Sequence, residues 1–187
     1  MWYQRVVAMY DQVYRALHGL DRPRAQVPPV LRVEVRRSMR RLSLRDGTAV
    51  AVGDRIGVLH LNNAALAELH AHAGTPAAVG LEFRRALVAS LRTLAWRARP
   101  DGPLADLTAF SAVTILHHGM PRIGFEHDAV GLVWPRVTTA YQRALLASLH
   151  PDGWARTLRL PGAGSERLWM SRRTLLALYD AAERGAR

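Results

Sequence analysis

The chain contains no cysteine, and it contains no lysine because all 26 of its basic residues are arginine. The absence of cysteine excludes disulfide bonds, thiolate metal ligands and a cysteine nucleophile. Every apolar run is shorter than the roughly 20 residues that a membrane-spanning helix needs, and the N-terminus has no signal-peptide pattern. The sequence therefore predicts a cytoplasmic protein whose contact with a membrane would be peripheral.

What the sequence does have is an excess of positive charge. The 26 arginines oppose 15 acidic residues, which gives a formal charge of +11. Guanidinium groups stay protonated in proteins, so the surface should attract phosphate, carboxylate or an anionic membrane. The length of 187 residues fits a single domain with its own hydrophobic core.

The first 18 residues have the pattern of an amphipathic helix. The apolar half of the helical wheel holds Trp2, Tyr3, Val6, Met9, Tyr10, Val13, Tyr14 and Leu17. Such a helix either packs on its own domain or docks on a membrane surface or a partner protein. A proline-rich linker follows, at residues 19–29.

The first half of the chain has the pattern of an antiparallel sheet. Leu31, Val33 and Val35 alternate with polar residues, which indicates a strand with one face in solvent. The dipeptide Asp46-Gly47 predicts a hairpin turn. We expect a meander over residues 30–61 that ends in a central strand, residues 56–61, because that segment is apolar on both faces apart from one histidine.

The second half adds strands and helices of mixed order. Residues 109–116 form a second strand that is apolar on both faces, and residues 122–127 are expected to return as its hairpin partner. A last strand is predicted at residues 167–170. Helices are predicted at residues 63–73, from Thr75-Pro76 to about residue 100, at 137–149, and after Ser171. The fold class is therefore α+β, a single domain in which helices pack on a largely antiparallel sheet with the two buried strands side by side.

Polar side chains follow both buried strands and form a candidate ligand pocket. They are His60, Asn62, Asn63, Thr114, His117 and His118. If the two strands are neighbours, these side chains meet at one edge of the sheet, where α/β proteins often bind ligands, and an imidazole there could serve acid–base chemistry. The alternative is that His60 is a core histidine and that the asparagines only start the next helix.

The spacing of the histidines argues against a metal site. Two histidines on one helix, His70 and His72, point about 200° apart, and the adjacent His117 and His118 would point to opposite faces of a strand. No nucleophile elbow, phosphate-binding glycine loop or dinucleotide fingerprint occurs either. The sequence therefore predicts no metal and no cofactor; a zinc site made of His60 and one of the turn histidines would require long-range folding. The sequence leaves open whether the protein is an enzyme.

Arginines concentrate on the predicted hairpin, at Arg36, Arg37, Arg40, Arg41 and Arg45. Such a patch could bind an anion, including nucleic acid, because neutralising phosphates releases counterions. The patch has no aromatic residue on which a base could stack. A solvated edge strand, whose charges prevent edge-to-edge pairing, is the favoured interpretation.

Three stretches resemble the YkoP-like domain family: G-D-R-I-G-V-L-H-L-N-N at residues 53–63, A-V-T-I-L-H-H-G-M-P-R-I-G-F-E at 112–126, and L-W-M-S-R-R-T-L-L-A-L-Y at 168–179. Proteins of that family occur alone or joined to polysaccharide deacetylase domains. The resemblance implies an accessory, non-catalytic domain of cell-envelope or spore polysaccharide metabolism, with polysaccharide-processing enzymes as partners. The positive charge and the N-terminal amphipathic segment indicate an anionic membrane surface as the alternative partner. The resemblance supplies no catalytic residue, because the metal-binding motifs of the deacetylases are missing from this chain.

Overall fold

The computed structural model describes residues 9, 12–72, 76–132, 134–149 and 164–180. These residues form two sheets. The strands are β1 (Gln26–Val27), β2 (Leu31–Arg37), β3 (Leu42–Ser43), β4 (Ala49–Val50), β5 (Arg55–Leu61), β6 (Ala109–Thr114), β7 (Glu126–His127) and β8 (Glu166–Ser171). Six of them form one sheet in the order β1-β2-β5-β6-β8-β7, and β3 pairs with β4 in a separate small sheet.

The two strands predicted to be buried are neighbours in the middle of the six-stranded sheet. β5 and β6 run parallel, with Leu59 opposite Ala112, and the other pairings in this sheet are antiparallel. The predicted α+β class and the largely antiparallel sheet are therefore confirmed. Because β5 and β6 are parallel, they both end at the same edge of the sheet.

After β5, the described residues form four α-helices that accompany the sheet. They are α1 (Asn63–His72), α2 (Pro76–Arg97), α3 (Pro135–Leu149) and α4 (Arg172–Tyr179). α2 crosses one face, where Leu87, Leu91 and Leu94 pack with sheet residues and with α4 in the main hydrophobic core. Ser171 caps α4 as predicted, because its hydroxyl accepts a hydrogen bond from the Thr174 amide. The predicted cap of α2, Thr75, lies outside the described residues.

The opposite face of the sheet is partly covered by the β3–β4 hairpin. Leu44 and Val50 of the hairpin pack there with Ile56 and Trp169 in a second, smaller core. The predicted Asp46-Gly47 turn is confirmed, and Gly47 has a φ of 82°. The Asp46 carboxylate accepts hydrogen bonds from the hydroxyls of Ser171 and Thr174, which anchors the turn to the start of α4.

The predicted meander is wrong in its pairing. β2 pairs directly with β5, from Leu31 opposite Leu61 to Arg37 opposite Arg55, so β3 and β4 leave the sheet as an inserted hairpin. These two strands have only two residues each and cannot extend the main sheet as neighbours of β2 and β5.

The predicted hairpin between β6 and residues 122–127 is also wrong. Residues Met120–Ile123 form a 3₁₀ helix with Pro121 as its second residue. The strand that follows consists only of Glu126 and His127. That strand pairs with β8, which itself lies between β6 and β7. β6 therefore pairs with β8, which comes some 50 residues later in the chain, and not with the local segment 122–127.

The N-terminal region packs on the sheet through a short strand. The segment 19–29 contains a 3₁₀ helix (Pro23–Ala25) and β1, and its Leu20 and Val27 are buried. Residues 12–17 are helical, and the apolar side chains of Val13 and Leu17 are exposed there. Within the described parts of the chain, no helix combines the length and hydropathy needed to cross a bilayer.

Candidate functional site

A cleft of about 610 Å³ opens at the edge where β5 and β6 end, and residues from both faces of the sheet line it. Three of the predicted pocket residues are among them: His60 from β5, Asn63 at the start of α1, and Thr114 from β6. The far wall comes from α3, whose Tyr141 and Gln142 face the cleft. Gln142 ties α3 to the sheet because its amide donates to the Val113 carbonyl at 2.7 Å.

His60 belongs to a charged cluster beside the cleft. Its Nε2 lies 3.2 Å from Glu34 Oε2, and the other carboxylate oxygen of Glu34 lies 3.0 Å from His18 Nδ1. Arg36 Nε donates to Glu34 at 2.6 Å. Burial opposes ionisation of Glu34, but the hydrogen bonds with His60, Arg36 and His18 outweigh it and lower the pKa of Glu34 from 4.5 to about 2. Glu34 is therefore a carboxylate that orients the His60 ring.

Asn62 is held by a neighbouring cluster. Its side-chain oxygen accepts from Arg32 Nη2 at 3.2 Å, and Arg32 Nη1 donates to Asp21 at 2.8 Å. The alternating register puts Arg32 opposite His60 on the same face of the sheet. The buried guanidinium of Arg32 thus links the segment before β1 to the end of β5.

The charge of the cleft wall is positive. Among the described residues, no aspartate or glutamate lines the cleft, whereas six arginines do: Arg15, Arg32, Arg36, Arg37, Arg40 and Arg167. Three of the five arginines predicted as an anion-binding patch are in this set. The other two, Arg41 and Arg45, lie outside the cleft and are exposed.

Two of these arginines share one carboxylate. Arg40 Nη1 donates to Asp128 at 2.8 Å, and Arg167 Nη1 lies 4.0 Å from the same carboxylate oxygen. Burial and the charge of Arg40 lower the pKa of Arg167. Since one carboxylate cannot neutralise two guanidinium groups, this end of the cleft keeps a surplus of positive charge.

The predicted residues His117 and His118 lie in a second cluster, away from His60. Their rings are 4.3 Å apart, centre to centre, and the His117 ring is 5.7 Å from that of His127. His117 Nδ1 is 3.6 Å from Glu166, and His127 Nδ1 contacts the same carboxylate. The predicted pocket is therefore divided between a cleft with His60, Asn63 and Thr114 and a histidine cluster with His117 and His118.

Sequence reasoning missed three residues that shape these sites: Glu34, Arg32 and Glu166. The alternating pattern places Glu34 and Arg32 on the solvent face of a strand, yet their side chains contact His60 and Asn62 across the β2–β5 pairing. The signal in the sequence was Glu34 itself, the acidic residue in a strand whose other residues are basic or apolar. Nothing in the spacing could pair Glu166 with His127, because their contact depends on the β7–β8 pairing.

These features define a mixed α+β domain built around an arginine-lined cleft. The chain belongs to the YkoP domain family, whose model matches residues 1–179. No curated protein and no solved structure matches the chain.

Proposed function

We propose that this YkoP domain is a non-catalytic accessory module of cell-envelope or spore polysaccharide metabolism that binds an anionic ligand in the cleft at the ends of β5 and β6. The observation that carries the binding function is the charge of the cleft wall, with six arginines and, among the described residues, no acidic side chain. Guanidinium groups recognise carboxylate and phosphate through paired hydrogen bonds.

The rest of the cleft wall defines the ligand further. Most of the other lining residues are aliphatic or phenylalanine, and they include Leu31, Leu59 and Phe83 from the side of the sheet that α2 covers. A pocket with an apolar interior and a few charged groups selects a ligand with both kinds of surface. The ligand class is therefore an amphipathic anion, a phosphate or carboxylate attached to an apolar body, such as a glycan carried on a lipid phosphate.

The Arg40 end of the cleft is the place for the anionic group. Asp128 is only 5% exposed and is shared by Arg40 and Arg167. A bound phosphate would supply the negative charge that this group lacks. The apolar body would then lie along the edge of β5 and β6 toward α3.

The binding proposal is tested by calorimetric titration with decyl phosphate below its micelle concentration. Inorganic phosphate, decyl maltoside and an acidic trisaccharide serve as comparison ligands. We expect decyl phosphate to bind at least about 10-fold more tightly than each of them, which corresponds to about 1.4 kcal/mol. Equal binding of decyl maltoside would contradict the role of the anion, and tighter binding of the trisaccharide would contradict the role of the apolar body.

Two neighbouring arginines provide a matched pair of variants. Arg40→Gln removes a guanidinium that lines the cleft, whereas Arg41→Gln removes an exposed one just outside it. We expect only the first to weaken decyl phosphate binding. Arg37→Gln is a second cleft variant. Arg37 is exposed and donates to the Gly53 carbonyl, so its replacement should leave the fold intact.

The accessory role is tested in the cell. Deletion of the gene should change the amount or the modification of an envelope or spore polysaccharide, and Arg40→Gln should reproduce that change. An unaltered polysaccharide in the deletion strain would contradict the accessory role while leaving the ligand titration unaffected.

A second candidate is a small enzyme that uses His60. The specific observation in its favour is the Glu34–His60 pair, a carboxylate that orients an imidazole at the cleft wall. Turnover of a phosphate or carboxylate ester that is lost in His60→Gln, with ligand binding retained, would establish this function in place of the non-catalytic one.

A further inference from the structure

Three separate segments bring ligand-type atoms together outside the cleft. His117 follows β6, His127 lies in β7, and Glu166 begins β8. One nitrogen from each histidine and one carboxylate oxygen all lie within 4.8 Å of one another. His117 Nδ1 lies 3.6 Å from Glu166 Oε1, close to the separation of about 3.3 Å between two ligands of a tetrahedral zinc ion.

The chain reverses its direction between His117 and His127. The Thr114 hydroxyl accepts from the Leu116 amide, and the left-handed residues Gly119 and Gly124 flank the 3₁₀ helix. The backbone therefore turns back from the end of β6 to β7, ten residues after His117. This local turn, combined with the β7–β8 pairing, places both imidazoles beside Glu166.

His117 is the unusual member of the cluster. The residue is only 6% exposed, and its Nδ1 is buried without a hydrogen-bond partner. A buried imidazole nitrogen that lacks a hydrogen-bond partner can coordinate a metal ion.

We propose that His117, His127 and Glu166 bind a divalent transition-metal ion of the zinc type. Two imidazoles and one carboxylate are a ligand set for Zn²⁺ and similar ions, whereas Mg²⁺ and Ca²⁺ prefer sites made only of oxygen. The side chains of His127 and Glu166 are 41% and 44% exposed, so water has access to the remaining coordination positions. The metal would also give the buried His117 Nδ1 an interaction partner.

Metal binding here would connect three strands near one edge of the sheet. β7 has only two residues and, among the described strands, pairs with β8 alone, so the backbone holds it weakly. An ion held by β7, β8 and the segment after β6 would fix this edge, and the stability of the folded protein would rise with the metal concentration relative to the dissociation constant. The site is distinct from the cleft, and its existence does not depend on the function proposed for the cleft.

The test is titration of the tag-free, chelator-treated full chain with Co²⁺, whose visible spectrum reports imidazole coordination, followed by displacement with Zn²⁺. We expect one equivalent of Co²⁺ to bind and Zn²⁺ to raise the melting temperature. His127→Ala and Glu166→Gln change exposed side chains and should fold. Each variant should lower the affinity for Co²⁺ by at least roughly 10- to 100-fold. This is the loss that is usual when a residue that hydrogen-bonds to a metal ligand is removed.

The matched control is Glu82→Gln, which removes a carboxylate on the exposed side of α2. It should bind Co²⁺ as the parent chain does. Saturation of the double variant His127→Ala/Glu166→Gln at the parent affinity would place the metal elsewhere and overturn the proposal. Absence of one-to-one binding to the parent chain would overturn it as well.

Discussion

At the scale of single residues, Gly57 shows how tightly the main core is packed. A Cβ at this position would lie 2.5 Å from Phe110 Cδ1 and 3.1 Å from Val33 Cγ2. Phe110 has no exposed surface, so its ring cannot move toward solvent. We expect Gly57→Ala to lower the free energy of unfolding by about 1–3 kcal/mol, the usual cost of overpacking a core. Urea unfolding of the two chains measures this difference.

Gly80 provides the matched control. It lies within α2, and a Cβ there would meet nothing within 4 Å. Gly80→Ala should therefore raise the free energy of unfolding by about 0.5–1 kcal/mol, because alanine loses less conformational freedom than glycine in a helix. The same substitution is thus expected to lower the free energy of unfolding at Gly57 and to raise it at Gly80. Stabilisation by Gly57→Ala would contradict the close packing of Phe110 on β5.

At the scale of secondary-structure elements, Glu34 of β2 joins β5 to the segment that follows the N-terminal helical residues, through His60 and His18. The pKa of Glu34 is lowered from 4.5 to about 2. Its contribution to stability is therefore present above pH 4.5 and is lost as the pH falls toward 2, by up to about 3 kcal/mol. Glu34→Gln should remove this part of the pH dependence, so that its unfolding free energy approaches that of the parent chain at low pH.

The measurement is urea unfolding at a series of pH values between 2 and 6. Glu82→Gln serves as the control, since the Glu82 side chain is 56% exposed and forms an ion pair with Arg85 at 3.7 Å on the helix surface. Its curve should run parallel to that of the parent chain. A constant difference between Glu34→Gln and the parent chain across the whole series would show that Glu34 does not titrate with the expected depressed pKa.

The elements also show what the sequence could and could not predict. β5 and β6 were predictable as central neighbours because both are apolar on two faces, a property that only covered strands have. The partner of β7 was not, because a strand of two residues is too short for a pattern and its partner β8 lies far along the chain. The same limit applies to the sites. His60 and Asn63 were found next to a predicted strand, whereas the contact of Glu34 with His60 depends on the register of β2 against β5.

At the scale of the whole molecule, the arginines of the predicted hairpin patch contribute to the charge of +11 in two different settings. Arg36 and Arg40 are paired with Glu34 and Asp128 and line the cleft, so their charge is directed at a ligand of limited size. Arg41 and Arg45 are exposed outside the cleft. Within the predicted hairpin patch, these two are the arginines open to a long polyanion such as nucleic acid, and two guanidinium groups are too few for a specific interface.

We therefore expect binding to duplex DNA to be non-specific and limited to low salt. Each neutralised phosphate contributes a slope of about −0.9 to the dependence of log affinity on log salt. The double variant Arg41→Gln/Arg45→Gln should make that slope shallower by at most about 2, whereas Arg40→Gln should leave it nearly unchanged. Fluorescence anisotropy with two unrelated 20-base-pair duplexes between 20 and 200 mM salt measures both quantities. Submicromolar binding at 150 mM salt, or a clear preference for one duplex, would mean that the arginines of the hairpin form a nucleic-acid interface and that the cleft is not the main anion site.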